Sequence, residues 1–326
     1  MHALSEQQIK TFISLFPEAT RDESLAAYTS LKIGGPAQLF FQAQNIDDLV
    51  GAIETAKAQN VPWYVLGGGS NVLISDDGYK GLVIVYADRS FTVRERTVVA
   101  SAGALTTLVA KAAVEAGLSG FEWGTTVPGT MGGAICGNAG CFGSEMKDLV
   151  VTVDVYDTDT AKKSALPKDQ CKFAYRDSAF KHQPFVILKT LLSLKPGEKD
   201  KVQARAQELQ DKRKQTQPQG EFSAGCMFKN FAFKDEAEIA KLKSQGEIPE
   251  AMLQSKMISA GWLIDKLGLK GTNVGAAKVS DTHGNFVINA GGARAQDVLQ
   301  LTSLIKMKVR DELGIMLEDE VQLVGF

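Results

Sequence analysis

Hydrophobic and polar positions along this chain follow two periods, and their order predicts strands and helices in succession. Residues 37–43 (AQLFFQA) read as extended, Asn45 is placed to cap a helix over 46–59, and 61–67 (VPWYVLG) reads as a strand running into a glycine cluster. That is the beginning of a βαβ unit. Residues 81–87 and 97–103 follow as strands, and Leu105, Leu108, Val109, Ala112, Ala113 and Ala116 have helical spacing. After a glycine-rich tract over 117–143, residues 150–159 and 185–194 alternate in the strand sense, with turn residues at 157–160 and a break at Pro196-Gly197. A sheet-rich second lobe is expected there. Ahead of all this, Ile9, Phe12 and Ile13 among Glu6, Gln7, Gln8 and Lys10 predict a short amphipathic helix and not the continuous apolar run of a signal peptide.

The second half reads differently. Residues 199–215 are polar and basic with Val202, Ala206 and Leu209 on one face, which predicts a solvated helix leading into a linker. The linker is expected over 216–225 (TQPQGEFSAG), punctuated by Pro218, Gly220 and Gly225. Beyond it, a separate unit is predicted from helices over 236–244 and 261–267, a strand over 285–289 and a terminal strand over 320–326. Its long helix, over 294–313, places Val298, Leu301, Ile305, Val309 and Leu313 on one stripe. No internal repeat is visible.

Composition narrows the function classes. A chain of 326 residues suggests about two domains. With 44% hydrophobic and 23% charged residues it is too apolar for intrinsic disorder. Lys plus Arg number 36 against 38 Asp plus Glu, a net charge of −2, so no overall field steers nucleic acid or an anionic membrane. No apolar run reaches the roughly 18 to 20 residues that span a bilayer. Four cysteines (Cys136, Cys141, Cys171, Cys226) form no disulfide framework, and three histidines (His2, His182, His283) offer no zinc-type spacing. Free thiols in the cytoplasm are the expectation, with no metal.

Three constellations could carry chemistry. In Leu66-Gly67-Gly68-Gly69-Ser70-Asn71, successive glycines let backbone N–H groups converge on an anion, with Ser70 and Asn71 adding side-chain donors; the alternative is a tight strand turn. No lysine follows in the P-loop sense, and no GxGxxG opens a helix. The second tract, 125–140 (TTVPGTMGGAICGNAG), offers a bare backbone surface to a large planar ligand. Two such tracts roughly sixty residues apart suggest one extended dinucleotide, and flavin adenine dinucleotide fits. Gly67, Gly68, Gly69, Ser70 and Asn71 are expected to hold it from the first tract, and Thr126, Pro128, Gly129, Gly132, Gly133, Asn138, Ala139 and Gly140 from the second. The third constellation is scattered over 175–178 (YRDS), 225–230 (GCMFKN) and 318–321 (EDEV). Arg176 beside Tyr175 is a carboxylate grip or a surface ion-pair partner, Glu320 is a solvated carboxylate unless the fold says otherwise, and His283 is a ligand contact or a loop histidine.

Taken in order, LGGGSNVLI, VPGTMGGAICGNAGCFG, YRDS, AGCMFKN, AGWLIDKLGLKG and LEDEVQLVG resemble the UDP-N-acetylenolpyruvoylglucosamine reductase family, flavoenzymes of peptidoglycan precursor synthesis. The likeness runs from about residue 28 to the end of the chain. It implies an α+β fold: a two-lobed FAD-binding domain of the vanillyl-alcohol-oxidase type over 28–197 (lobes 28–95 and 96–197), a C-terminal α+β substrate-binding domain over 198–326, and an N-terminal helical segment over 1–27. It also implies non-covalent FAD, NADPH as hydride donor, a UDP-sugar substrate, no nucleic-acid or membrane partner, and a monomer or weak dimer.

The resemblance implies roles for single residues too. Arg176 would hold the substrate carboxylate as a fixed cation, Glu320 would assist from the other side as a neutral acid, and Cys226 would deliver the final proton. Much of the family has serine where Cys226 stands; a thiol is mostly protonated at neutral pH and is a stronger acid than a hydroxyl, so the exchange is chemically workable. Tyr175, Lys229, Asn230 and His283 match positions that face the substrate or its surroundings. Phe231 stands where a proline often follows the Lys-Asn pair. No Tyr-bearing insertion lies between Leu188 and Lys199, so the chain resembles the branch lacking that lid loop.

Overall fold

The structure, a computed structural model, describes residues 3–233, 235–243 and 247–326. Met1 and His2 lie outside the described residues, as does Ser244, the last residue of the helix expected over 236–244 and found as Glu236–Lys243. The chain divides into two compact units. The first takes the residues up to Ser24, Pro36–Gly69 and Tyr79–Gln215; the second takes Leu25–Gly35, Ser70–Gly78 and Thr216–Phe326. Helices and strands mix in both, as an α+β fold requires.

In the first unit, Pro36–Ala43 and Trp63–Leu66 both pair parallel with Tyr79–Tyr86, and Thr20–Ser24 adds an antiparallel edge. The helix between the parallel strands, Ile46–Ala58, is capped by the Asn45 side chain, which accepts from the Asp48 N–H. Its Asp47 and Asp48 lie in the first turn and Lys57 in the last, each matching the helix dipole. Leu49, Ala52, Ile53 and Ala56 bury its apolar face with Leu39, Leu82 and Ile84 of the sheet. The expected N-terminal helix forms over Glu6–Leu15, with a capping box at Ser5 and Gln8 and with Ile9 and Phe12 buried.

The second lobe of this unit is a five-stranded antiparallel sheet in the order Lys162–Pro167, Val150–Asp157, Phe185–Ser193, Thr97–Ser101, Phe91–Arg94. Val109, Ala110 and Ala113 of the helix Thr106–Glu115 share its core with Val153, Val155 and Leu192. The basic helix Lys199–Thr216 buries Val202, Ala206 and Leu209, the three residues its sequence placed on one face. The strand 185–193 runs on to Lys195–Pro196 and this helix with no insertion between.

The second unit holds a four-stranded antiparallel sheet ordered Phe222–Cys226, Phe286–Asn289, Ala277–Val279, Asn273–Val274. The linker expectation over 216–225 is corrected here: its second half is a strand, because the backbone of 222–226 finds a partner in 286–289 despite the flanking glycines. The stripe of the helix Ala295–Leu313 is buried as expected. Asp76 reaches its N-terminus, accepting from the Ala295 and Gln296 N–H groups at 2.8 and 3.2 Å. The terminal strand Gln322–Val324 pairs parallel with Val72–Ile74. No helix of the described residues is long and apolar enough to cross a membrane.

Candidate active site

The first unit brings the two glycine tracts into contact. Gly67 and Gly68 are exposed at the end of the strand Trp63–Leu66, and a Cβ on Gly68 would stand 2.5 Å from the Gly129 Cα and 3.2 Å from the Thr130 N. Two backbones approach here at a distance only glycine permits. Pro128 and Gly133 are exposed beside this contact, Gly129 and Gly132 are half-buried, and Thr130 caps the short helix Met131–Cys136 through the Gly133 N–H. The result is a stretch of bare, accessible backbone suited to a flat ligand. Gly69 is buried with φ 61°, a left-handed turn that ends the run, and Ser70 and Asn71 open the segment belonging to the second unit. The Thr126 hydroxyl donates to the Trp123 carbonyl at 2.8 Å.

Asn138 requires a correction. It is fully buried, its amide nitrogen donates to the Ala174 carbonyl and to Glu145 Oε2, and its Oδ1 accepts from the Lys147 N–H. Its side chain is turned into the protein and has no donor left for a cofactor. Ala139 and Gly140 beside it are half-buried.

Arg176 sits on the same tract. Residues 174–177 form a two-residue turn in which Ala174 and Asp177 exchange backbone hydrogen bonds at 3.0 and 3.2 Å, with Tyr175 and Arg176 at its tip. Arg176 has φ 54° and donates from Nη2 to the Gly140 carbonyl at 2.7 Å, with its guanidinium 5.2 Å from the centroid of the Tyr175 ring. The Ser178 hydroxyl, 1% exposed, donates to the Cys136 carbonyl at 2.7 Å. Burial works to raise the neighbouring Asp177 carboxyl, but hydrogen bonds from His182 and the Ser178 N–H outweigh it and hold the group below its ordinary value.

The second unit gathers the other candidates. The strand Phe222–Cys226 slips register against 286–289 between Ser223 and Cys226, one residue more on its own side than on its partner's, and Gly225 in this bulge has φ 78°. Bulges of this kind re-aim the side chain that follows, here Cys226. Downstream, Glu320 donates its backbone N–H to the Met227 carbonyl, Lys229 donates to the Glu318 carbonyl, and Phe228 bridges Asp319. The backbones of 227–229, directly after Cys226, and 318–320 therefore run side by side. Asn71 donates its amide to the Glu320 carbonyl at 3.1 Å, so the second residue after the glycine run steadies the same segment.

Asn285 is a site residue the sequence reading missed. It is 2% exposed, accepts from the Phe228 N–H at 3.0 Å and donates to the Phe228 carbonyl at 2.8 Å, while its own carbonyl takes the Met227 N–H. It fixes the two residues following Cys226. Nothing in the string TH-G-N-F distinguishes it from an ordinary turn asparagine. Lys229 Nζ lies 3.3 Å from Glu318, and Asn230 Oδ1 accepts from the Ala260 N–H at the start of the helix Ala260–Lys266. His283 accepts from the Asn285 N–H through Nδ1 and meets Phe286 edge to face. Phe231, the departure from proline, begins a short strand with Ala232 paired to Met257–Ile258.

The thiols differ in accessibility. Burial pushes Cys171 up to about 11 and holds Cys136 and Cys141 above their ordinary range. The reactive thiolate of Cys171 is therefore scarce below about that pH. Alkylation of the native protein at pH 8 followed by peptide mass spectrometry should leave Cys171 unlabelled; labelling there as fast as in denaturant would contradict its burial.

Comparison with known proteins gives a consistent picture. Residues 217–324 match the model of the UDP-N-acetylenolpyruvoylglucosamine reductase C-terminal domain, and residues 37–161 match that of an FAD binding domain. The UDP-N-acetylenolpyruvoylglucosamine reductase of Rubrobacter xylanophilus is 36% identical over 318 residues, covering 97% of this chain and 98% of the relative. That of Caldanaerobacter subterraneus is 35% identical over 305 residues, covering 93% of each. The crystal structure of the UDP-N-acetylenolpyruvylglucosamine reductase of Thermus caldophilus superposes with a TM-score of 0.73 at 33% identity, covering 94% of this chain and 98% of that one.

Proposed function

This chain belongs to the UDP-N-acetylenolpyruvoylglucosamine reductase family, and from that premise we propose that it reduces the enolpyruvyl ether of UDP-N-acetylglucosamine to the lactyl ether of UDP-N-acetylmuramate, with FAD bound and NADPH as hydride source. The observation that carries the reading is the backbone pairing that lays residues 227–229, which directly follow Cys226, beside 318–320, the segment of the same unit that carries Glu320. We assign the FAD to the first unit, whose bare glycine surface fits it, and the proton-donating machinery to the second.

Bound FAD supplies what side chains lack, hydride acceptance from NADPH and hydride delivery to the enolpyruvyl double bond. The protein's task is then to manage charge. Hydride added at C3 of the enolpyruvyl group places negative charge on C2, next to a carboxylate that is already ionised. Arg176, a fixed cation anchored on Gly140, holds that carboxylate and the charge spreading into it. Glu320 donates a hydrogen bond as the neutral acid, since an ionised carboxylate would repel the same anion. Cys226 passes its thiol proton to C2, which completes the addition of two hydrogens. Lys229, whose ammonium is paired with an exposed Glu318 in this structure, exchanges that partner for the UDP pyrophosphate. Tyr175, Asn230 and His283 border the substrate. The reading places the enzyme in the cytoplasm, where its four free cysteines stay reduced.

Two experiments bear on this. Incubation of the protein with NADPH and the enolpyruvyl sugar nucleotide should give a product heavier by two hydrogens, and an unchanged nucleotide would reject the function. Gly68→Ala should fold yet bind FAD at least about 10-fold more weakly, read by flavin fluorescence titration, because the added methyl forces the two tracts apart. Wild-type affinity in this variant would remove the contact from the binding site.

A further inference from the structure

Resting on that functional reading, we infer that Asn138 is a positioning residue for Arg176: its buried amide sets the turn that presents the guanidinium. The turn would not hold its shape alone. Arg176 lies in the left-handed region at φ 54°, which costs a non-glycine residue energy and persists only where the surroundings dictate it. Asn138 supplies the dictation. Its amide nitrogen donates to the Ala174 carbonyl at 2.8 Å, the oxygen that opens the turn and also accepts the closing Asp177 N–H. Its second donor goes to Glu145 Oε2 at 3.0 Å and its oxygen takes the Lys147 N–H at 3.0 Å, so the turn is tied to the segment that leaves the glycine tract.

Asn138 is itself left-handed, at φ 41°, a conformation asparagine tolerates better than most side chains, and it is 0% exposed. Two further bonds tie the same turn to the same tract, Ser178 Oγ to the Cys136 carbonyl and Arg176 Nη2 to the Gly140 carbonyl, both at 2.7 Å. Residues 136, 138 and 140 thus grip 178, 174 and 176 in turn. Asn138 and Ser178, both buried with protein partners for their side chains, act on the reaction through Arg176.

The test separates positioning from plain stability. In rapid-mixing experiments on flavin-loaded Asn138→Ala, the half-reaction with NADPH should stay within about 2-fold of wild type while that with the enolpyruvyl substrate slows about 100-fold, the loss typical of a reacting group displaced by around 1 Å. In an Arg176→Lys background the same substitution should cost less than about 3-fold, because the group it positions is already impaired. Ser178→Ala, a milder change, should show the same selective slowing in smaller measure, and it decides the matter if Asn138→Ala does not fold. Amide exchange at 174–177 should quicken in both variants. Equal slowing of the two half-reactions, full additivity with Arg176→Lys, or unchanged exchange at the turn would overturn the inference. If wild-type protein shows no half-reaction with the substrate at all, the functional reading fails instead, and the exchange measurement still reports on Asn138.

Discussion

Cys226→Ala is expected to react with NADPH at the wild-type rate and to turn over the enolpyruvyl substrate about 10²–10⁴-fold more slowly, the range that a positioned proton donor contributes. The sulfur is carried on a bulged strand whose slip against 286–289 and left-handed Gly225 fix where the following side chain points. Its successors are clamped by Asn285 and by the Glu320 N–H, so alanine removes the proton without moving the backbone. Cys226→Ser, which restores a hydroxyl in the same place, should recover a large part of the loss, as serine serves at this position in much of the family. A Cys226→Ala enzyme as fast as wild type with the substrate would remove the thiol from the mechanism.

Arg176 carries the second large expectation. Arg176→Lys keeps the charge but loses the planar fork and the hold on the Gly140 carbonyl, and it should slow the substrate half-reaction about 10²–10³-fold, equivalent to about 3–4 kcal/mol of charge stabilisation. Arg176→Ala should be slower still. Neither should alter the half-reaction with NADPH, in which no carboxylate anion develops. The expected signature is a fall in kcat and in kcat/KM together, since the interaction matters most once the charge has formed. A rise in KM alone would mean that Arg176 binds the substrate but does nothing for the anion.

Much of this was legible in the residues. The stripe of 294–313 and the apolar face of 199–215 are periodic signals, and burial follows them; the cap at Asn45 is a local signal, and its side chain makes the expected bond to the Asp48 N–H. Proximity of the two glycine tracts could be suspected because both are bare backbone, and Gly68 against Gly129 shows how near they come. What stayed hidden is long-range and aperiodic. That 25–35 and 70–78 join the second unit rests on pairings such as 72–74 with 322–324, which no local pattern announces. The strand Phe222–Cys226 was obscured by Gly and Pro around it, because turn residues report local backbone preference and not a distant partner. Asn138 and Asn285 were hidden for a related reason: a buried amide serving two or three backbone groups has the same letter as a surface turn asparagine.

On the proposed function, this protein drives hydride and then a proton onto the enolpyruvyl ether. Its most direct test is an anaerobic stopped-flow experiment in which flavin-loaded protein is bleached by one equivalent of NADPH and then mixed with the enolpyruvyl sugar nucleotide. The yellow flavin band should return within the turnover time, with one equivalent of the lactyl product. A band that stays bleached until oxygen is admitted would contradict it.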